Sequence, residues 1–317
     1  MTTRANPLEP RPVPTLYFIG VTTTQSSIMR VFPKWSDILD LGAEIVGYDA
    51  PIHAPAATYE AIVRHIKEDP LSMGALVTTH KIDLLDATRD MFDYLDPYAE
   101  LCGEISCISK REGRLEGYAK DPITAGLSWE AFVQSGHWGP TSAHVMCIGA
   151  GGSAVAISVY VSGLPEPADR PKRFVVVQRS LPRLEKLQAI HASLDTDIEF
   201  EYLLNEDPVK NDEIMASLPP GSMVINATGM GKDRPGSPVT DNGLFPVNGL
   251  VWELNYRGEL DFLHQAERQA ESRNLTVEDG WVYFLHGWSQ VIAEAFHLDL
   301  TPELFAKLDE AASTIHE

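Results

Sequence analysis

Between the apolar runs Val145–Ile148 and Val155–Tyr160 stand six small residues, Gly149-Ala150-Gly151-Gly152-Ser153-Ala154. The pattern predicts a strand, a glycine turn and the start of a helix. In such a turn the first glycine allows a tight bend and the next lets backbone N–H groups approach a phosphate. Small residues after them let the helix pack close to the strand. The positive end of that helix can receive a nucleotide pyrophosphate. A short buried strand follows, Phe174-Val175-Val176-Val177, with Gln178-Arg179-Ser180 at its end. A dinucleotide site reads the adenosine ribose there, and an acid in that place would favour NAD. None is present, whereas Arg179 and Arg183 are on hand for a 2′-phosphate. The cofactor indicated is NADP, with NAD still open. Without that chemistry the same residues are a glycine turn in any parallel α/β sheet and two solvated arginines. Val145 to Leu164 also lacks formal charge and so raises a membrane span, but the clustered glycines, Ser153 and Ser158 fit a buried strand–helix unit better.

The elements that would hold this turn alternate along the chain. Leu16–Gly20, Glu44–Tyr48 and Gly74–Thr78 read as strands, and Ile28–Leu41, Thr58–Glu68 (with Thr58 as N-cap) and His80–Tyr94 as helices. Ile105–Lys110 and Leu115–Tyr118 read as a hairpin around Glu112-Gly113, and Thr124–Ser135 as a connecting helix. A second β/α series has strands at Val145, Phe174, Phe200, Met223 and Leu250, and Gly280–Ile315 is helical and amphipathic. This alternation predicts an α/β protein with mostly parallel sheets, and 317 residues suffice for two domains. A formal net charge of −20 argues against nucleic acid or an anionic membrane as partner. Cys102, Cys107 and Cys147 follow no disulfide or zinc spacing, so a reducing, cytoplasmic setting and no metal are expected.

Three further segments acquire meaning from their order. Val77-Thr78-Thr79-His80-Lys81 follows a strand and opens a helix. Gly117-Tyr118-Ala119-Lys120-Asp121 follows the hairpin and precedes another helix. Asn226-Ala227-Thr228-Gly229-Met230 ends a strand beyond the glycine turn. From Tyr17 to Phe296 this succession resembles the shikimate/quinate dehydrogenase family. The resemblance implies an N-terminal α/β substrate domain (15–136) after a loose tail (1–14), a Rossmann-type dinucleotide domain (137–278) and C-terminal helices (279–317) that pack back toward the first domain, with a cleft between the two domains. It implies reversible hydride transfer between a nicotinamide and a ring hydroxyl, with Lys81 and Asp121 as the catalytic pair. Oxidising an alcohol needs a group to take the hydroxyl proton as hydride leaves. A lysine in the first turn of a helix has its charge disfavoured by the dipole, and a carboxylate would orient it. Asp121-Pro122 is equally a helix N-cap with proline at N1.

The resemblance carries Gly149, Ala150, Gly151, Gly152, Ser153, Ala154, Gln178, Arg179, Asn226, Thr228 and Gly229 to the cofactor, and Ser26, Thr78, Ser106, Tyr256 and Gln290 to the substrate. Departures concentrate on the substrate side. In the family's Ser-x-Ser-Pro carboxylate segment, Ser26 matches the first serine and Ile28 stands in place of the second. Leu76 stands where the family has an asparagine before Val-Thr, or the segment is one residue shorter; Ser106 stands for another asparagine, and Ala119-Lys120 replaces Asn-Thr before Asp121. Lys120 is a candidate to recover carboxylate contacts, and Trp281, Tyr283 and Trp288 either line an apolar pocket or pack helices. The expected partner is a small cyclic molecule, a cyclic polyol or shikimate-like acid, and a homodimer is allowed. Two other readings are a methylenetetrahydrofolate dehydrogenase-like enzyme, which Asp121 disfavours, and a non-catalytic ligand-sensing regulator, which has no use for a proton relay.

Overall fold

A computed structural model of the chain describes residues 8–232 and 234–315. It divides into two compact units. One holds the residues up to Lys120 together with those from Gly287 onward, and the other is Asp121–His286.

The first unit runs β1 (Thr15–Gly20), α1 (Ile28–Ile38), β2 (Glu44–Asp49), α2 (Ala56–Glu68), β3 (Ser72–Val77), α3 (Lys81–Thr88), β4 (Tyr94–Leu95), α4 (Pro97–Cys102), β5 (Cys107–Arg111) and β6 (Arg114–Tyr118). Its sheet has the order β2-β1-β3-β5-β6-β4. β1 is parallel to β2 and β3, but β3–β5 and β5–β6 are antiparallel, so this sheet is mixed. Helix α2 buries Tyr59, Ile62, Val63 and Ile66, a stripe at helical spacing, against Tyr17, Ile19, Ala75 and Val77 of the sheet. The helix starts two residues before the expected cap Thr58, behind Pro55, whose φ of −56° already suits a helix entry. Of the tail expected to be loose over residues 1–14, residues 1–7 lie outside the described part. Leu8 packs against the core, and Arg11 Nε lies 2.7 Å from Glu44 Oε1.

The second unit runs α5 (Asp121–Phe132), β7 (His144–Ile148), α6 (Gly152–Ser162), β8 (Arg173–Gln178), α7 (Leu181–His191), β9 (Glu199–Leu204), α8 (Pro208–Ala216), β10 (Met223–Asn226), β11 (Leu250–Glu253), α9 (Asp261–Glu267), α10 (Ala270–Arg273) and β12 (Thr276–Glu278); α11 (Trp281–Phe296) and α12 (Pro302–Ser313) end the chain. All six strands are parallel, in the order β12-β11-β10-β7-β8-β9. The chain starts in the middle, winds outward through β8 and β9, then returns to β10 on the other side of β7. The order therefore reverses between β7 and β10, the place where open α/β sheets leave a crevice at their carboxyl ends. Val145–Leu164 is thus divided between β7, a turn and α6, and among the described residues no helix is long and apolar enough to cross a membrane.

Helix α5 sorts with this second sheet rather than with the residues before it. Its Gly126 lies against the ring of Tyr160 on α6, where a Cβ would come within 2.2 Å of the ring. The first residues of α11 join the same unit: Tyr283 meets Trp252 edge-on, and Trp281 and Phe284 stack on each other beside Tyr256. Beyond Gly287 the helix serves the first unit, where Trp288 meets Phe18. The aromatic stripe is packing: Trp281 and Trp288 are only 6% and 5% exposed.

Candidate active site

The six small residues after β7 divide their work by position. Gly149 has φ +113°, and a Cβ there would stand 2.5 Å from the Ala227 carbonyl oxygen, so no side chain fits. Its N–H is tied to the Val177 carbonyl at 2.8 Å, which fixes the turn to the end of β8. Ala150 is buried. Gly151 is the N-cap of α6 in extended backbone, and a Cβ on it would meet nothing within 4 Å. Gly152 is exposed and Ser153 half-exposed at the first turn, whereas Ala154 is completely buried in the core against β7. The turn thus has a tight bend at Gly149, open space at Gly151 and close helix packing at Ala154, the three features a dinucleotide turn needs.

In front of the turn lies a cavity of about 240 Å³, formed wholly by the second unit. Gly149 and Gly151 line it on one side, and Gln178, Arg179 and Arg183 at the end of β8 on another. Gln178 turns its Oε1 back to accept the Arg179 N–H at 2.7 Å. All three arginines of the cavity, Arg179, Arg183 and Arg234, are exposed. Arg234, on the far side, escaped the sequence reading because it belongs to a loop more than fifty residues further along the chain, with no periodicity to place it.

The structure yields a direct prediction at Gly151. Its backbone is one that any residue adopts, and the space beyond its Cα is open, so Gly151→Val should fold normally. The added isopropyl group would stand in the cavity where N–H groups must reach a phosphate. Titration of NADP⁺ followed by calorimetry should show affinity falling by at least about tenfold, the scale of one lost charge-assisted contact. Unchanged affinity in a folded variant would remove this turn from the site.

The third cofactor-side segment is a tightly bonded loop at the end of β10. Asn226 Oδ1 accepts from the Thr228 N–H at 3.1 Å and from Thr228 Oγ1 at 2.6 Å, and Gly229 turns the chain at φ +74°. Thr228 Oγ1 in turn accepts the Met230 N–H at 3.1 Å. Ala227, Thr228 and Met230 line the cavity.

In the first unit, the segments after the carboxyl ends of β1 and β3 carry two of the residues assigned to substrate, Ser26 and Thr78, together with Lys81. A Cβ on Gly20 would touch the methyls of Thr78 at 3.0 Å and Thr23 at 3.2 Å, so the glycine lets the two segments meet. Thr23 begins a short 3-10 turn, Thr23–Gln25, that ends on Ser26; its N–H and hydroxyl both reach Asp49 Oδ1, at 2.8 and 2.6 Å. Lys81 is the first residue of α3. Its N–H donates to the Thr78 carbonyl at 3.1 Å, and its own carbonyl accepts from Ile105 at 3.3 Å. The preceding residue, His80, is buried, with Nδ1 3.0 Å from the Tyr59 hydroxyl. The lysine therefore projects from a backbone held on both sides.

Ser106, also assigned to substrate, has an internal contact. It is buried, and its hydroxyl accepts the Lys120 N–H at 2.8 Å. Asp96, the N-cap of α4, accepts the Ala119 N–H at 2.9 Å with the same Oδ1 that caps Ala99. The two amides immediately before Asp121 are thus held by side chains. Asp96-Pro97 repeats the cap signature of Asp121-Pro122 and was open to recognition on that ground. Asp121 itself is the first residue of α5.

Two assignments remain, Tyr256 and Gln290. Tyr256 is half-buried after β11, in the aromatic cluster with Trp281 and Phe284. Gln290 lines a polar cavity of about 470 Å³ with Arg111, Lys120 and Glu294. In that cavity Lys120 Nζ is 2.6 Å from Glu294 Oε2 and 4.6 Å from the centre of the Tyr118 ring. Lys120 is therefore committed to an internal partner, and the expectation that it replaces a lost carboxylate contact is not met by this arrangement.

No family model matches the chain. A curated relative from Streptococcus thermophilus, named shikimate dehydrogenase (NADP(+)), is 28% identical over 178 residues, which is 56% of this chain and 58% of that protein. The matched part is thus less than two thirds of the relative's length. Among solved structures, the ligand-free 5-ketofructose reductase of Gluconobacter sp. superposes with a TM-score of 0.70 at 21% identity, covering 95% of this chain and 98% of that one. The shikimate 5-dehydrogenase of Listeria monocytogenes, in complex with shikimate and NAD, superposes with a TM-score of 0.71 at 18% identity, covering 98% of both. At such identities the two structures speak for the fold, and the sequence match makes the chain shikimate dehydrogenase-like.

Proposed function

We propose that the protein is an NADP(H)-preferring oxidoreductase that interconverts a ring or polyol hydroxyl with its ketone. The observation that carries this reading is the cavity in front of the glycine turn, where an open helix start and three exposed arginines face one space. Those groups fit a nucleotide: Gly149 to Ser153 would hold the pyrophosphate, and Arg179 with Arg183 or Arg234 a 2′-phosphate. The name of the streptococcal relative, with its NADP(+), agrees. When bound, the nicotinamide supplies the hydride acceptor or donor. In the oxidising direction Lys81 takes the proton of the substrate hydroxyl, and in the reducing direction it returns it. Asp121 orients that ammonium. Thr78 and Ser26 border the same patch and meet the other substrate oxygens. The three described cysteines are buried free thiols, which suits a reducing cytoplasm.

Substrate identity is less tied to shikimate. Ile28 is completely buried at the start of α1, Ser106 is occupied with Lys120, and Lys120 is occupied with Glu294. A neutral cyclic polyol or sugar ketone asks least of such a site, and the Gluconobacter structural neighbour is named for a keto sugar. Cofactor preference is the sharpest test of the nucleotide half. The wild-type protein should show a higher kcat/KM with NADP(H) than with NAD(H). Arg179→Ala should lower the NADP(H) value by about ten- to a hundredfold, the worth of a charge-assisted hydrogen bond, and leave the NAD(H) value nearly unmoved. A wild-type preference for NAD(H) would refute the assignment.

A further inference from the structure

At the carboxyl end of β11 a carboxylate is buried, and among the described residues its hydrogen bonds come from two asparagines. Glu253 is 0% exposed. Its Oε2 accepts from Asn226 Nδ2 at 2.7 Å, and its Oε1 accepts from the Asn255 N–H at 2.8 Å and Asn255 Nδ2 at 2.6 Å. All three neighbours are donors, so the hydrogen bonds favour the ionised, acceptor-only form. Both amides also donate to one carbonyl, that of Met230, at 3.3 and 3.0 Å. Because Asn226 Oδ1 holds Thr228, its amide cannot flip without breaking either Thr228 or Glu253. One carboxylate thus fixes the orientation of two asparagines, and through them the loop Ala227–Met230.

The place of this loop in the sheet gives the charge a purpose. The arginine cavity assigns the adenosine end to the β8 side, and the glycine turn assigns the pyrophosphate to the start of α6. The other half of a dinucleotide must then cross the switch point toward β10 and β11. We propose that Glu253 is a positioning residue for the nicotinamide half of the site, holding the Ala227–Met230 loop and, by its buried negative charge, favouring the oxidised, cationic ring over the reduced, neutral one. This rests on the cofactor reading above.

Burial pushes the Glu253 carboxyl up to about 7, against the downward pull of its three hydrogen bonds. The charged groups around it do not neutralise it. Asp279, just beyond β12, adds to the rise, and Glu278, paired opposite Trp252 on β12, is itself raised by burial. β10 contributes only the neutral Asn226. Asp261 opens α9, whose His264 and Glu267 pair with each other in solvent, and Lys232 and Arg257 lie on exposed loops. Near neutral pH a fraction of the molecules therefore carries the proton. A cation arriving nearby draws the carboxyl to its ionised form and releases that proton; a neutral ring does not.

The experiment is calorimetric binding of NADP⁺ and NADPH to the full chain at about pH 7, in two buffers of different ionisation enthalpy, which counts protons. NADP⁺ should release more protons than NADPH. Glu253→Gln should abolish the difference and weaken NADP⁺ about tenfold more than NADPH, the scale expected for two charges in a partly buried site. Glu253→Asp, which keeps the charge, should retain the excess release. Should Glu253→Gln not fold, the proton count of the wild type still decides. Equal release with both forms overturns the proposal while leaving the cofactor reading intact, and failure of both forms to bind overturns both.

Discussion

Lys81→Met should leave a folded protein that binds NADP(H) normally and turns over at least about a hundredfold more slowly, the usual contribution of a positioned general acid or base. The expectation of an intact fold comes from the backbone. The N–H and carbonyl of Lys81 are bonded to Thr78 and Ile105, and neither bond involves the side chain. Helix α3 is anchored by Leu84, Leu85 and Thr88, with the Thr88 hydroxyl donating to the Leu84 carbonyl at 2.6 Å, none of which the substitution touches. Methionine has nearly the length of lysine and lacks only the proton-carrying end. Loss should therefore appear in kcat, with nucleotide affinity and melting temperature unmoved, and Asp121→Asn should impair kcat/KM in the same direction. Near-wild-type turnover in Lys81→Met would break the proposed mechanism at its centre.

Much of this architecture is readable from short-range pattern. β7, β8, β10 and β11 are apolar runs with turn residues after them, as strands buried on both faces must be. What pattern does not carry is which elements group together. α5 looks like the end of the first series, yet a glycine contact with Tyr160 ties it to the second sheet. The short β4 and β12, of two and three residues, are too brief for alternation to show, and exist because a neighbouring strand pairs with them. The helix predicted over His80–Tyr94 ends at Thr88 and passes through a 3-10 turn, Arg89–Met91, into β4.

The candidate site can be read from the sequence in the same uneven way. The glycine turn could be found because small residues cluster between two apolar runs; in the structure Gly149 answers a steric demand, by its positive φ, whereas Gly151 has ordinary extended backbone and open space beyond it. Lys81 and Asp121 open their helices, and the family resemblance singles them out. Glu253, Asn255 and Arg234 could not be found, because their meaning lies in three-dimensional convergence: a carboxylate meeting two amides, and an arginine meeting two others across a cavity. Lys120 shows the reverse. Its position beside Asp121 suggested a substrate contact, but a glutamate 174 residues away on α11 takes the charge.

Shikimate itself should be a poor substrate. Recognising its carboxylate and hydroxyls would call on positions 28, 76, 106 and 120. Position 28 is a buried isoleucine, 76 a leucine, and the polar groups at 106 and 120 have internal partners. A lost charge-assisted hydrogen bond costs roughly 1.5–3 kcal/mol, about one to two decades in kcat/KM. Two or three such losses leave shikimate several decades behind the preferred substrate. To bind it, Lys120 would have to give up its 2.6 Å contact with the largely buried Glu294, leaving that carboxylate only the longer 3.5 Å contact from Arg111, and that exchange recovers little. A neutral cyclitol or a keto sugar makes no such demand: the cyclitol hydroxyl can give its proton to Lys81 on oxidation, and the ketone of a keto sugar can take one from it on reduction. Shikimate, quinate, neutral cyclitols and keto sugars should be assayed in both directions with both cofactors. The neutral compounds should lead by about two decades or more. A kcat/KM for shikimate on the order of 10⁵ M⁻¹s⁻¹, ordinary for an enzyme on its own substrate, would show instead that contacts from elsewhere replace the missing ones and that the acid is the natural ligand.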